Sequence, residues 1–199
     1  MQSNPVKFIF GPDTEWAFVH VDKPMEGTKY GAGKYSITLL IDKGNEDIGR
    51  VSKVLKEIYE ANKAMFVVDG KQKALRELNL PLDDGDEKRP DSPSFANKYF
   101  VNATSKYKPE IVDEALEPVD PETVRGGDCG RVSVQFVAYA TDDGNMGISC
   151  RLNNLQRIKL SEYADVSYSS AKNDFAEFAK AGSTTSSETE YEVDNDLPF

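Results

Sequence analysis

Apolar and polar residues alternate in short runs along most of the chain, and the first runs predict three strands. The runs are rich in β-branched and aromatic residues and lie at residues 5–10, 15–21 and 34–41. In the third run, one face carries Tyr35, Ile37, Leu39 and Ile41. A period of two residues is that of a half-buried strand. Gly11-Pro12-Asp13 supplies a turn between the first two strands.

The period changes to that of a helix after the third run. Apolar side chains recur three, four or seven residues apart, at Ile48, Val51, Leu55, Ile58 and Met65. Asn45 is suited to the N-cap position, and Glu46 and Asp47 complement the positive end of the helix dipole. We therefore predict one long helix over about residues 46–66, with its apolar stripe in the core.

The second half of the chain returns to strand patterns. These predict strands at 98–105, 131–140 and 146–152, and Asp142-Asp143-Gly144-Asn145 is a hairpin signal between the last two. Residues 70–97 form an irregular insertion, with a short helix predicted over 71–78 and a mobile, charged, turn-rich segment over 83–93. Residues 110–122 belong to the connection between the first two of these strands and are rich in proline and acidic residues.

Three strands, one helix and further strands closed by a hairpin are typical of a small barrel of the OB type. We expect a mainly β (β-rich α+β) fold, an OB-fold-like barrel of five to six strands with one long helix after the third strand. An open α+β sheet is the alternative architecture. The barrel and its insertion would occupy residues 1–181.

Charge separates residues 182–199 from the rest of the chain. The protein has 34 acidic and 24 basic residues and a net charge of −10, and five of the acids but no Lys or Arg lie in this segment. Such a polar, charged segment cannot offset its ordering entropy by burial, so we expect a disordered acidic tail. A short amphipathic helix is predicted just before it, near residues 170–180.

Several functional classes lack the residues they need. His20 is the one histidine, which removes histidine-based zinc sites and Ser-His-Asp triads. Cys129 and Cys150 form no CxxC pair, which favours reduced thiols in the cytoplasm. No apolar run approaches the roughly 18 residues of a membrane span. We expect no enzyme, cofactor, metal or membrane partner; the catalytic alternative is a carboxylate-metal nuclease using acids such as Asp128, Asp142 and Asp143.

Basic and aromatic residues are interleaved along the predicted barrel. Cations of this kind track phosphates and exposed rings stack on bases, which suits single-stranded nucleic acid, because a duplex hides the faces of its bases. The candidate DNA-binding residues are Lys29, Tyr30, Lys34, Tyr35, Lys98, Tyr99, Phe100, Lys106, Tyr107, Lys108, Arg125, Arg131, Tyr139 and Arg151.

The acidic segment ends on an apolar tripeptide that a purely solubilising tail, the alternative interpretation, does not need. An aromatic anchor on an acidic leash suits a small basic pocket of a partner protein. The candidate partner-binding residues are Asp194, Asp196, Leu197, Pro198 and Phe199. If the barrel carries a basic cleft, the tail also competes with DNA for it, because the linker keeps the tail at high effective concentration.

Several stretches of this sequence resemble those of known protein families. Residues 194–199 resemble the tail tip of bacterial single-stranded DNA-binding proteins, which end in acids followed by Ile- or Leu-Pro-Phe. The body is more similar to phage-encoded single-stranded DNA-binding proteins, which have an OB-fold core and an acidic C-terminal tail. The stretches that carry this likeness are 35–43, 102–105 with Lys108-Pro109, and 147–153 with Gln156.

The resemblance implies a protein that coats and protects single-stranded DNA without sequence preference during phage replication, recombination and repair. Its location would be the host cytoplasm, and its tail would recruit replication and recombination proteins. Single-strand annealing and an acidic adaptor role without nucleic-acid binding are the alternatives. The sequence also leaves open a homo-oligomer or a cooperative assembly on DNA.

Overall fold

A computed structural model describes residues 2–26, 32–68 and 70–161, all within the unit Met1–Asp165. The candidates Lys29 and Tyr30, the helix predicted near 170–180 and the tail at 182–199 lie outside the described residues. In chain order, the strands and α-helices are β1 (Val6–Phe10), β2 (Glu15–His20), β3 (Tyr35–Asp42), α1 (Glu46–Ala61), β4 (Val67–Val68), β5 (Lys71–Gln72), β6 (Leu82–Asp84), α2 (Gly85–Lys88), β7 (Lys98–Ser105), β8 (Ile111–Val112), β9 (Cys129–Ala140) and β10 (Met146–Lys159).

Five strands close into a ring. β2 pairs with β3, and β3 pairs along its whole length with β7, both antiparallel. β7 meets β10 in parallel through Thr104 and Arg151, β10 pairs antiparallel with β9, and β9 returns to β2 through Cys129 and Glu15. The shorter strands β1, β6 and β8 add to β9, β7 and β10. This closed ring confirms the OB-like barrel and rejects the open sheet.

The core forms where alternate side chains of the strands point into the barrel. Trp16, Phe10, Leu39 and Phe136 have no exposed surface, and the core face predicted for β3 is confirmed from Ile37 to Ile41. The barrel buries this face because a closed sheet has one interior, and apolar surface removed from water contributes about 25 cal/mol per Å². The buried stripe of α1 joins the same core.

Helix α1 begins as predicted and ends earlier than predicted. The Asn45 side chain accepts a hydrogen bond from the Asp47 N–H at 2.9 Å, which caps the first turn. At the other end, the Asn62 amide donates to the Ile58 carbonyl oxygen at 2.7 Å and stops the helix at Ala61. A 3₁₀ turn, Lys63–Met65, then occupies part of the predicted helix.

Two predicted elements differ from the structure. β10 continues seven residues beyond the predicted end at residue 152, because β9 begins early enough, at Cys129, to pair with it as far as Lys159. The helix predicted over 71–78 is wrong: this stretch holds β5 and a 3₁₀ turn, Leu75–Glu77. The Lys73 N–H and the Tyr59 hydroxyl bond to carbonyls across this region instead of within a helix.

The charged segment predicted to be a mobile insertion has defined structure. Its strand β6 pairs with β7, and the Lys43 ammonium lies 2.7 Å from Asp84 and 2.8 Å from Asp86. Asp86 also accepts a hydrogen bond from the Asn97 N–H at 2.9 Å. Residues 82–97 are therefore fixed against the barrel at both ends. None of the helices in the described ranges is long and apolar enough to cross a membrane.

Candidate nucleic-acid interface

The outward face of β3 and β7 carries polar side chains in register. Ser36 lies opposite Thr104, and Thr38 opposite Asn102, whose Oδ1 accepts a hydrogen bond from the Thr38 hydroxyl at 2.7 Å. The intervening residues point into the core, because successive side chains of a strand point to opposite faces. These strands are the second and third of the ring, the face that binds oligonucleotides in OB folds.

A cleft lies beside this face, where β7 meets β10. Its volume is about 570 Å³. Four predicted DNA-binding residues line it, and we call them the basic groove: Lys34, Lys106, Tyr107 and Arg151. The Arg151 guanidinium donates to Gln2 Oε1 at 2.7 Å, and the Tyr107 ring is 83% exposed. The described lining contains cations, hydroxyls and amides but no carboxylate side chain.

A cluster with one exposed ring lies at the other end of the same face. Phe18 is 59% exposed, and its ring centroid lies 6.1 Å from that of Phe95. The Arg89 guanidinium lies 5.8 Å from the Phe95 ring. We call Phe18, Phe95 and Arg89 the aromatic patch. Phe95 is buried with Leu40 and Phe100 of β3 and β7, and these three side chains support the exposed Phe18 ring.

The backbone at Phe18 explains why its ring points outward. The β2–β3 register shifts between Ala17 and His20, and Phe18 has a φ of 46°. Bulges re-aim side chains, and a bulky residue at positive φ persists only where its surroundings determine it. Strict alternation would place Phe18 on the buried face with Trp16. Sequence patterns carry no signal of the bulge, so Phe18 was missed, as was Phe95 within the irregular insertion.

Other predicted residues on or near β7 already have partners. The Lys98 ammonium is paired with the Glu15 carboxylate. Lys108 lies 3.0 Å from Asp22, whose carboxylate raises the pKa of the Lys108 ammonium. The Lys43 ammonium sits 5.3 Å from the Tyr99 ring centroid. Phe100 is only 4% exposed, so its ring supports the patch and offers little surface to a base.

The remaining described candidates are spread over the barrel. Tyr35 is half-buried opposite Ser105, at the start of β3. Arg125 donates to the Glu122 and Val124 carbonyls, and Arg131 donates to Gln156 Oε1 at 3.0 Å. Tyr139 lies at the hairpin end of β9, in a bridge with Gln2. The structure therefore brings four of the predicted residues into one groove and places the other described candidates elsewhere.

The carboxylates of the nuclease alternative have structural partners. Asp128 is fully buried and accepts hydrogen bonds from the Arg125 N–H at 3.1 Å and the Ser161 N–H at 2.8 Å. Asp143 lies with Asp142 in the hairpin turn, where the Thr141 hydroxyl and the Asn145 N–H lower the pKa of its carboxyl group. In the ranges that the structure describes, no three His, Cys, Asp or Glu side chains are grouped to hold a metal ion.

Solved structures share this barrel. The single-stranded DNA-binding protein from bacteriophage Enc34 in complex with ssDNA is 24% identical, with 78% of this chain and 88% of that chain covered and a TM-score of 0.63. Gp2.5, a single-stranded DNA-binding protein encoded by bacteriophage T7, is 14% identical over 92% of this chain and 100% of that chain, with a TM-score of 0.53. No curated protein sequence matches at a significant level.

Family membership rests on the sequence itself. Residues 6–186 match the family model described as Enterobacter phage Enc34, ssDNA-binding protein. This match covers the whole barrel, including the aromatic patch and the basic groove, and confirms the likeness to phage-encoded proteins that the sequence suggested. The chain belongs to the Enc34 single-stranded DNA-binding protein family.

Proposed function

We propose that this protein binds single-stranded DNA without sequence preference and coats and protects it during phage DNA replication, recombination and repair in the host cytoplasm. The observation that carries the proposal is the placement of the basic groove and the aromatic patch on one outer barrel face, joined by the polar pairs Ser36–Thr104 and Thr38–Asn102. The role is one of binding and requires no cofactor or metal.

The chemistry of the basic groove and of the aromatic patch explains why single-stranded DNA is the proposed ligand. Lys34, Lys106 and Arg151 supply positive charge for phosphates, and Phe18 supplies a ring face for a base. Stacking is worth about 1–3 kcal/mol per base and tolerates any sequence, because every base has a π face. A duplex keeps its base faces paired and stacked, so the aromatic patch discriminates against it.

The test is a titration of a fluorescent oligo-dT with the full chain at several salt concentrations. We expect tight binding. The logarithm of the association constant should fall linearly with the logarithm of the salt concentration, with a slope of about −0.7 for each phosphate neutralised. A duplex of the same length is the matched ligand and should bind more weakly. Equal affinity for duplex and single strand, or no binding of either, would contradict the proposal.

We also propose that residues 182–199 recruit replication and recombination proteins and compete with DNA for the basic groove. The support is the run of five acids with Leu197, Pro198 and Phe199 beside them, together with the cationic lining of the groove. Removing 182–199 should raise affinity for oligo-dT and change its salt slope. If both stay the same, competition is absent.

Recruitment is tested separately from competition. Phe199→Ala removes the aromatic anchor but keeps every acid, so it should abolish capture of phage or host replication proteins while leaving oligo-dT affinity nearly unchanged. Thr189→Ala, in the same segment, is the matched control. Loss of capture with Thr189→Ala as well would show that the aromatic residue has no special role.

A further inference from the structure

A row of residues in register crosses the barrel through the basic groove. Thr104 on β7 lies opposite Arg151 on β10, Arg151 lies opposite Gln135 on β9, and Gln135 lies opposite Lys7 on β1. In the other direction, Thr104 lies opposite Ser36, and Ser36 opposite His20 on β2. Neighbouring strands are about 4.8 Å apart, so the row spans roughly 24 Å of surface.

All six residues of the row belong to the outer surface. Each is half-buried or exposed. The residues next to them in the same strands point into the core, and buried examples are Phe8, Phe136, Leu152 and Ala103. Three members, Thr104, Arg151 and Gln135, line the cleft of about 570 Å³. The row is thus a polar path that enters the basic groove from β3 and leaves it over β9.

Lys7 stands at the far end of this path. Its side chain is exposed, and in the described parts of the chain it forms no ion pair. Gln135, between Lys7 and Arg151, makes no side-chain hydrogen bond that the described residues show, so its amide can donate to a phosphate or a base edge. Cations at both sides of a neutral amide suit successive phosphates of one strand.

We propose that bound single-stranded DNA continues past the barrel face across Gln135 and ends on Lys7, so that β1, which lies outside the five-strand ring, lengthens the binding track. This inference rests on the proposed DNA binding and adds its path and its length. A short strand held by the barrel face does not reach Lys7, whereas a longer one does. The contribution of Lys7 therefore depends on oligonucleotide length.

The experiment compares Lys7→Gln with wild type on oligo-dT ligands from about 4 to 16 nucleotides, the range of OB-fold site sizes. For the longest ligand, one lost phosphate contact should lower the salt slope by about 0.7 and affinity about eightfold at about 50 mM salt. For the shortest ligand, Lys7→Gln should bind as wild type does. Lys71→Gln, on the separate β4–β5 pair, is the control and should change neither.

The outcomes separate the track from the proposed function. If wild type binds oligo-dT but Lys7→Gln keeps its slope at every length, or loses the same amount at every length, the extended track is wrong and DNA binding stands. If wild type binds no oligo-dT, both are wrong. Equal melting temperatures for the two variants and wild type establish that any loss of affinity is not a loss of fold.

Discussion

The aromatic patch and the basic groove occupy one face but are built in opposite ways. The patch depends on irregular backbone: the bulge at Phe18 and the segment 82–97 that carries Phe95. The groove lies where regular strands meet: the β7–β10 register sets Thr104 beside Arg151, Lys34 directly precedes β3, and Lys106 directly follows β7. A binding face can therefore draw its stacking surface from a bulge with strained backbone at Phe18 and its charge from regular strands and the residues next to them.

The two regions should respond to different variables. Charge contacts release counterions and weaken as salt increases, whereas stacking on a ring is nearly independent of salt. Substitutions in the groove should therefore change the salt slope, and substitutions in the patch should change affinity at constant slope.

The largest effect is expected from Lys106→Gln combined with Arg151→Gln. Loss of two phosphate contacts should make the salt slope shallower by about 1.4 and weaken oligo-dT binding about 60-fold at about 50 mM salt. Titrations at a series of salt concentrations measure both. Lys56→Gln combined with Lys71→Gln removes equal charge from exposed positions elsewhere. An equal loss in that control would attribute the effect to net charge and not to the groove.

Phe18→Ala should give the next largest effect. It removes the exposed ring and should cost about 2 kcal/mol of binding, the middle of the range for one stacked base, or roughly 30-fold in affinity, with the salt slope unchanged. Leu116→Ala is a close control, because Leu116 is also exposed and also has positive φ, at 66°. A Phe18→Ala protein with wild-type affinity, or with a shallower slope, would break the proposed division between patch and groove.

Gly85→Ala tests whether the packing of segment 82–97 supports the patch. A Cβ at Gly85 would lie 2.3 Å from the Phe95 carbonyl oxygen and 2.7 Å from that of Lys98, so the segment must shift. We expect the free energy of unfolding to fall by about 1 kcal/mol or more, and oligo-dT affinity to fall at constant salt slope. Gly49→Ala, whose Cβ meets nothing within 4 Å, should not destabilise the protein. Urea denaturation of the two variants measures their stability, and titration with oligo-dT measures their affinity. Unchanged stability for Gly85→Ala would contradict the predicted clash.

The smallest effect is expected from acid. The Lys43 ammonium and the Asn97 N–H hold the pKa of Asp86 below its ordinary value of 3.8. A carboxyl group whose pKa is lower in the folded state stabilises the fold above the unfolded pKa, and loses that effect as pH falls through the folded pKa. Melting temperatures of wild type and Asp86→Asn should therefore differ at neutral pH and converge below about pH 4. A constant difference across that range would exclude this linkage.

Sequence reasoning predicted the barrel strands and the start of α1, because local signals set them. The alternation of Ile37, Leu39 and Ile41 gives the face of β3, and Asn45 gives the cap of α1. The end of α1 differed, since Asn62 caps it through contacts that a hydrophobic period does not encode. Segment 83–93 looked mobile because its charges have partners far away in sequence, such as Lys43.

The candidate site was predicted only in part, for a similar reason. Interleaved cations and rings identified Lys34, Lys106, Tyr107 and Arg151, but the same pattern also selected Arg125 and Arg131, which bond elsewhere. The pattern alone does not distinguish the two groups, because the first group is brought together by the meeting of β7 with β10 in space. The bulge that exposes Phe18 depends on the pairing of β2 with β3, so no local pattern reveals it.

The pairing of β9 has a consequence for how the chain is made. β9 is the partner of β1 and closes the ring with β2. Val6 therefore cannot pair until Phe136 has been synthesised, and Glu15 cannot pair with β9 until Cys129 has been synthesised. A growing chain therefore exposes its first strand without a partner until most of the barrel sequence has left the ribosome. Such long-range pairing slows folding and leaves strand edges open to aggregation. Expression at low temperature should raise the soluble yield of this protein, because the hydrophobic attraction between unpaired strands weakens on cooling.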